Sequence, residues 1–397
     1  MKKNIAILIP TLTGGGAEKV AANLSLHLPE DKFQKYVIVY DDTKIDYPYG
    51  GKLVNLNSKV SRNLLGKTMN FIMRINKVRK IKKKFNIQVT ISLLEGPNLV
   101  NILTKRNDKI IVSVRNFPSK SLIGFYGKLN KILMKLLYKK ANTIVVVSKA
   151  IKNDLVNNFN LNEEKIKVIY NFYDIKTIQK LSEEPIEEEY KNVFEKPVII
   201  NAGRLSKQKG QWHLIRAFKK VKEEIPEVKL VILGEGELEN YLRKLAVDLK
   251  LEKDIYFLGF KKNPYKYIAR SSVFVFPSLY EGFPNALVEA MACGITVISS
   301  DCKSGPREIL APDTDFGRET KNNIEFAKYG VLVPVCDGKF YKYDDKLTYQ
   351  EEILYKSIVN ILQNPSIQKS YYVKSIKRAF DFSKENIIKI WQSEILK

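Results

Sequence analysis

Residues 273–294 read VFVFPSLYEGFPNALVEAMACG, and the fold is decided here. Val273 to Phe276 is an unbroken apolar, β-prone run, as expected of a strand buried on both faces of a parallel sheet. Pro277 ends it. Asn285 is a favourable N-cap, ALVEAMA is a short run of strong helix formers, and Gly294 supplies a left-handed stop before the next apolar strand, ITVIS. One βαβ step is therefore written in this stretch. It places Glu281 in the loop at the carboxyl end of a strand, where ligands bind in open α/β sheets, and Glu289 about one turn into the next helix. Both carboxylates can face one crevice, and the backbone N–H groups of Asn285, Ala286 and Leu287 at the helix start are suited to a phosphate.

An E-x7-E spacing by itself is most often a pair of solvated surface acids. The whole phrase EGFPNALVEAMACG, however, resembles the donor-site signature of retaining GT-B glycosyltransferases, specifically glycosyltransferase family 4. A second stretch, VIINAGRLSKQKGQWHLIRAF, reads as a strand (Val198 to Ala202), a basic loop, and a helix with Leu214, Ile215, Phe218 and Val221 at helical spacing. Arg204, Lys207 and Lys209 lie in that loop, and fixed cations at a strand's carboxyl end can stabilise a diphosphate. GRLSKQKG is also similar to the family's diphosphate-binding loop.

The resemblance implies a GT-B architecture: an α/β chain with two doubly wound, Rossmann-like parallel sheets facing a central cleft. Alternating strands and helices along the chain argue for the same class. The expected division is an acceptor-binding domain over 1–178, an acidic linker over 179–196, a nucleotide-sugar domain over 197–375, and a helix over 376–397 crossing back to the first domain. The resemblance further implies that Arg204 and Lys209 contact the leaving diphosphate, Glu281 the hydroxyls of the transferred sugar, and Glu289 the ribose. Phe283, Asn285, Ala286 and Leu287 would line the donor site. Gly234 and Gly236, in a GEG turn, would permit close approach near the nucleoside, Phe260 would meet the base, and Gly15 and Gly16 would approach the diphosphate from the opposite domain. Retention of configuration, without a metal or other cofactor, is the family expectation. A UDP-hexose or UDP-N-acetylhexosamine donor is preferred over GDP-mannose, with a glycan, lipid-linked acceptor.

Composition allows this: 397 residues, 45% hydrophobic and 28% charged, suffice for two globular domains. Cys293, Cys302 and Cys336 lack C-x-x-C spacing, so neither a disulfide framework nor a zinc site is indicated. The apolar run Ile5 to Ile9 is too short for a signal peptide or membrane span, and a cytoplasmic protein is the expectation.

The net charge of +24 calls for an anionic partner or reflects a Lys-rich composition throughout. Over 67–85, Met69, Ile72, Ile75, Val78, Ile81 and Phe85 mark one helical face beside a cationic stripe of Arg74, Lys77, Lys80 and Lys84. A second segment pairs Leu122, Phe125, Leu129, Ile132, Leu133 and Leu136 with Lys128, Lys131, Lys135 and Lys139. Such helices suit a core-packed surface with a solvated basic face, but their shared basic and apolar character favours peripheral attachment at the anionic inner face of the cell membrane. In related family members a basic helix in this region handles the acceptor's pyrophosphate, a role the resemblance extends to Arg74, Lys77 and their neighbours.

Where many relatives carry a histidine, in the segment IIVSVRNF, this chain has Arg115 and Asn116. An arginine cannot shuttle protons at neutral pH, so Arg115 is expected to orient donor or acceptor. His27 and His213 fall on helices and read as structural, and the D-x-D at Asp313 to Asp315 follows the donor motifs in a Pro-containing loop. The opening TLTGGGAEKV imitates a dinucleotide fingerprint but has Lys19 in the third glycine place. A dehydrogenase, a nucleotide-sugar epimerase or hydrolase on the same fold, and a basic nucleic-acid-binding protein are the alternatives. The last leaves Arg204, Lys209, Glu281 and Glu289 unexplained, so no nucleic-acid partner is expected.

Overall fold

A computed structural model describes residues 2–58, 61, 63–122 and 124–397; the side chain of Phe125, assigned above to an apolar face, lies outside the description. The chain forms two compact units, Met1–Phe172 with Lys384–Lys397, and Tyr173–Ser383.

In the first unit the strands β1 (Lys3–Ile9), β2 (Phe33–Val39), β3 (Lys52–Asn55), β4 (Val89–Leu93), β5 (Lys109–Val114), β6 (Thr143–Val146) and β7 (Ile166–Val168) form a parallel sheet of order 3-2-1-4-5-6-7. The order reverses between β1 and β4. Central strands are buried on both sides, as parallel strands covered by helices must be: every residue of β4 is buried. The connecting helices used below are α1 (Gly16–His27), α2 (Leu64–Lys84), α3 (Glu95–Leu103) and α4 (Gly124–Leu137). The C-terminal helix Lys384–Leu396 completes this unit's core, with Ile387, Trp391 and Ile395 buried against β1 and α1 residues. Its Glu394 accepts from Thr143 at 2.7 Å and pairs with Lys109 at 3.1 Å.

The second unit repeats the plan with β8 (Val198–Ala202), β9 (Lys229–Leu233), β10 (Ile255–Gly259), β11 (Val273–Phe276), β12 (Val297–Ser300), β13 (Glu325–Ala327) and β14 (Gly330–Val333), in order 10-9-8-11-12-14-13. Only β13 runs antiparallel among the described strands. Here the order reverses between β8 and β11. The helix α5 (Gln211–Glu224) follows β8 and α6 (Asn285–Ala292) follows β11. On α5 the four apolar residues named from sequence are fully buried, each contributing roughly 1.5–3 kcal/mol of transfer free energy.

The compact units differ from the expected division at three places. The acidic segment 179–196 is part of the second unit and not a linker, because its polar groups find partners there. Glu187 accepts from the Tyr267 hydroxyl at 2.5 Å and pairs with Lys266 at 3.2 Å, and Asn263 donates to the Leu181 carbonyl at 2.8 Å. The units exchange chain after Phe172 rather than near 178. The return is at Lys384 rather than 376, because residues 376–381 continue the helix Pro365–Asp381 of the second unit.

Candidate functional site

The carboxyl ends of β8 and β11 flank the point where the second sheet's order reverses, the place where an open α/β sheet leaves a crevice. The loop after β8 carries Arg204 and Lys209; the loop after β11 carries Glu281. They are zipped together: Leu279 N donates to the Gln208 carbonyl at 2.8 Å, and Gln208 Nε2 to the Tyr280 carbonyl at 2.9 Å. Across this seam Lys209 Nζ lies 2.7 Å from Glu281 Oε1 and 4.9 Å from the centre of the Phe276 ring. Glu281 is 5% exposed and Lys209 half-buried, so this pair sits where its field is only partly screened. Arg204 is exposed, and its guanidinium makes no ion pair among the described residues, while its carbonyl accepts from Gln211 at 3.0 Å.

Glu281 is held from behind by residues 303–304. Its N–H donates to the Lys303 carbonyl at 3.0 Å, and its carbonyl accepts from the Ser304 N–H at 2.9 Å and hydroxyl at 3.2 Å. The next residue, Gly305, has φ +104°, and a Cβ there would meet Pro284 at 2.5 Å. Cys302 lies below, its thiol pushed well up by burial and then by the Glu281 charge, so it stays protonated.

At α6 the helix begins one residue earlier than its sequence suggests: Pro284 is the cap, and Asn285 is the first helical residue. The Asn285 side chain accepts from the Tyr173 hydroxyl at 2.5 Å. Leu287, expected to offer its N–H to a phosphate, donates it to the Pro284 carbonyl at 3.1 Å and is fully buried. Glu289 is reached by the Tyr265 hydroxyl at 3.4 Å. Phe283 is buried, edge-on to Phe382 with ring centres 5.5 Å apart, so it packs the loop from inside.

The glycines of the GEG turn face the chain's own backbone. A Cβ at Gly234, where φ is +126°, would lie 2.1 Å from the Gly203 carbonyl oxygen, and one at Gly236 would lie 2.3 Å from that of Leu205. What approaches these glycines is the Arg204 loop itself, so they set the height of that loop. Phe260 projects from the end of β10 at 69% exposure, its N–H 3.3 Å from Glu235 Oε1.

In the first unit, Gly14 to Gly16 and the start of α3 flank the other reversal point. Sequence reasoning missed Glu18, whose carboxylate fills the space a Gly15 Cβ would occupy, at 1.9 Å. Burial raises its pKa, opposed by its own backbone amide. Leu94, at the end of β4, has φ +76°, an unusual value for a branched residue. Arg115 is 9% exposed, donating to Ser113 Oγ at 3.2 Å and to the Asn171 side chain.

The basic helix differs from its reading. Arg74 donates to the Ser58 hydroxyl at 2.8 Å and carbonyl at 3.0 Å and lies 4.1 Å over the Tyr40 ring, and Lys77 donates to the Leu56 carbonyl at 2.5 Å. Both anchor α2 to the chain after β3. Lys80 is exposed. Met69 and Ile72, on the apolar face, are 63% and 54% exposed beside a shallow groove of about 440 Å³. On α4, Leu129, Ile132 and Leu136 are likewise exposed, with Lys128 and Lys135 exposed and Lys131 half-buried.

Among the described residues no group of three or more His, Cys, Asp or Glu side chains forms a cation cage. Asp313 of the D-x-D pairs with Lys328 at 2.7 Å, and His213 is buried against Glu351 at 2.7 Å. No described helix is long and apolar enough to cross a membrane.

Residues 14–177 match the family model Glycosyltransferase Family 4, and residues 182–329 the model Glycosyl transferases group 1. An uncharacterised glycosyltransferase of Methanocaldococcus jannaschii is 38% identical, covering 86% of this chain and 87% of that protein. The N-acetylgalactosamine-N,N'-diacetylbacillosaminyl-diphospho-undecaprenol 4-alpha-N-acetylgalactosaminyltransferase of Campylobacter jejuni is 31% identical over 97% of each chain. Among solved structures, Anabaena HepE in complex with UDP and glucose superposes with a TM-score of 0.74 at 17% identity, covering 99% of both chains, a likeness of fold.

Proposed function

The chain belongs to glycosyltransferase family 4, and from that premise we propose that it moves a hexose or N-acetylhexosamine, with retention and without a metal, from a UDP-sugar to a lipid-linked glycan. The observation that carries this reading is the cationic pair Arg204 and Lys209 at the sheet's reversal point, with Glu281 bonded to Lys209 at 2.7 Å. As the bond from the anomeric carbon to the donor phosphate oxygen breaks, negative charge gathers on the diphosphate. Preorganised positive charge aimed there is the largest available lever. Arg204 supplies a planar fork for two phosphate oxygens, Lys209 a point charge whose position Glu281 fixes, and the first turn of α6 the positive end of a helix dipole. The acceptor hydroxyl attacks the same face of the sugar, and its proton passes to the departing phosphate oxygen, so no protein base is needed.

Glu281 has a second oxygen for a hydroxyl of the transferred sugar, and Glu289 can take the ribose hydroxyls. Phe260 presents an exposed ring for the base. Arg204 and Lys209 balance the diphosphate charge that a cation would otherwise meet. The Campylobacter jejuni relative is named for transfer to a diphospho-undecaprenol glycan; the exposed apolar and basic faces of α2 and α4 suit an anionic membrane surface at which such an acceptor would be met. Incubation with UDP-N-acetylgalactosamine, UDP-N-acetylglucosamine, UDP-glucose or GDP-mannose and a polyprenyl-diphosphate glycan in EDTA tests the reading. Transfer of one UDP-sugar in an α linkage is expected. Transfer that needs a divalent cation, yields the inverted anomer, or uses only GDP-mannose contradicts it.

A further inference from the structure

The chain passes between its units at Phe172/Tyr173 and again at Ser383/Lys384. On the second unit's side the two crossing segments are joined: Tyr173 N donates to the Phe382 carbonyl at 3.0 Å, and Tyr173 and Ser383 form a parallel β-bridge. Each segment also sends one aromatic side chain to the same short loop. Tyr173 is 4% exposed and its hydroxyl bonds Asn285, the first residue of α6; Phe382 is 1% exposed and packs edge-on to Phe283. Asn285 lies 112 positions from Tyr173 and Phe283 nearly 100 from Phe382, so only the tertiary fold creates this convergence.

We propose that Tyr173 and Phe382 are positioning residues for the donor loop Phe283–Asn285, so that the paired crossing segments and the nucleotide-binding start of α6 form one mechanical unit. The inference rests on the donor-site reading above. The Asn285 side chain projects from the turn whose backbone faces the diphosphate, and a hydrogen bond there fixes the rotation of the first helical residue. Phe382 fixes the other end of the loop, where the Phe283 ring is clasped. By reciprocity, nucleotide binding at α6 must then stiffen the crossing segments.

Tyr173→Phe removes only the hydroxyl and keeps the ring. In ligand-free protein it should speed amide hydrogen exchange at 283–287 while leaving β8 and β9 unchanged. It should raise the UDP dissociation constant about three- to tenfold, the loss expected for one hydrogen bond. Asn285→Ala should do the same from the other side, and the double variant should be no worse than either single one. In wild-type protein, UDP should slow exchange at 173–175 and 381–384. Unchanged exchange at 283–287, an unchanged dissociation constant, or additive losses in the double variant would overturn the proposal. If Tyr173→Phe does not fold, Asn285→Ala and Phe382→Leu carry the same comparison. If wild-type protein binds no nucleotide, the donor reading fails, and exchange at 283–287 alone decides whether Tyr173 holds the loop.

Discussion

At Glu18 an ordinary first-turn helix acid becomes a half-buried carboxylate folded over Gly15, its pKa raised by burial. Because its folded pKa lies above its unfolded one, the native state keeps a proton that the unfolded chain has lost, and stability falls as pH climbs through that window. The penalty persists at neutral pH, so Glu18→Gln should melt higher than wild type at pH 7 and lose that advantage below about pH 4. Equal melting temperatures at pH 7 would contradict this. Glu351 is the opposite case. Burial would raise it, but bonds from His213, the Thr348 amide and Arg216 outweigh burial and hold it below the usual carboxylate range. Its contribution is present above the ordinary carboxylate pKa and is lost as pH falls through the lowered one. Glu351→Gln should cost about 3 kcal/mol in denaturant unfolding at pH 7, because Arg216 and His213 remain buried beside it; a loss under 1 kcal/mol would show that these partners do not depend on it. Neither environment was legible in the sequence, where Glu18 and Glu351 are merely acids early in helices.

Among elements, strands were legible because parallel strands covered on both faces are spelled as continuous apolar runs, as VFVF and the IAILI of β1 show. The site loops followed from them, since position after a strand's carboxyl end is fixed once the strand is known. Helix faces were less legible. On α2 Val78 is fully buried while Met69 and Ile72 are exposed, because periodicity gives the direction of a face but not where the core beneath it stops. Arg74 and Lys77 read as part of a cationic stripe facing an acceptor's pyrophosphate, and in the fold they bond backbone carbonyls supplied by the chain after β3. The membrane proposal therefore rests on Lys80, Lys128, Lys131 and Lys135. Their joint replacement by Gln should weaken binding to anionic vesicles on the order of a hundredfold or more, at about 1 kcal/mol each. UDP affinity should stay unchanged; equal vesicle binding would contradict the surface.

Each unit of the molecule buries one tryptophan in a core: Trp391 in the first unit and Trp212 in the second. In single-tryptophan variants, UDP at one hundred times its dissociation constant should stabilise the transition reported by Trp212 by about 2.7 kcal/mol. A shift seen only by Trp391 would place the nucleotide on the first unit. Domain boundaries were the weakest reading at this scale. The acidic run 179–196 looked unattached because Lys266 and Tyr267, which engage it, lie some 80 positions on.

The central claim is a metal-independent nucleotide-sugar site built on Arg204, Lys209 and Glu281. Calorimetric titration with UDP and GDP in excess EDTA, on wild type and Arg204→Ala, tests it most directly. UDP should bind wild type in EDTA and at least tenfold more weakly to Arg204→Ala, whose turnover should fall about a hundredfold, roughly 3 kcal/mol in the transition state. No binding of either nucleotide without metal, or equal UDP affinity in both proteins, would contradict it.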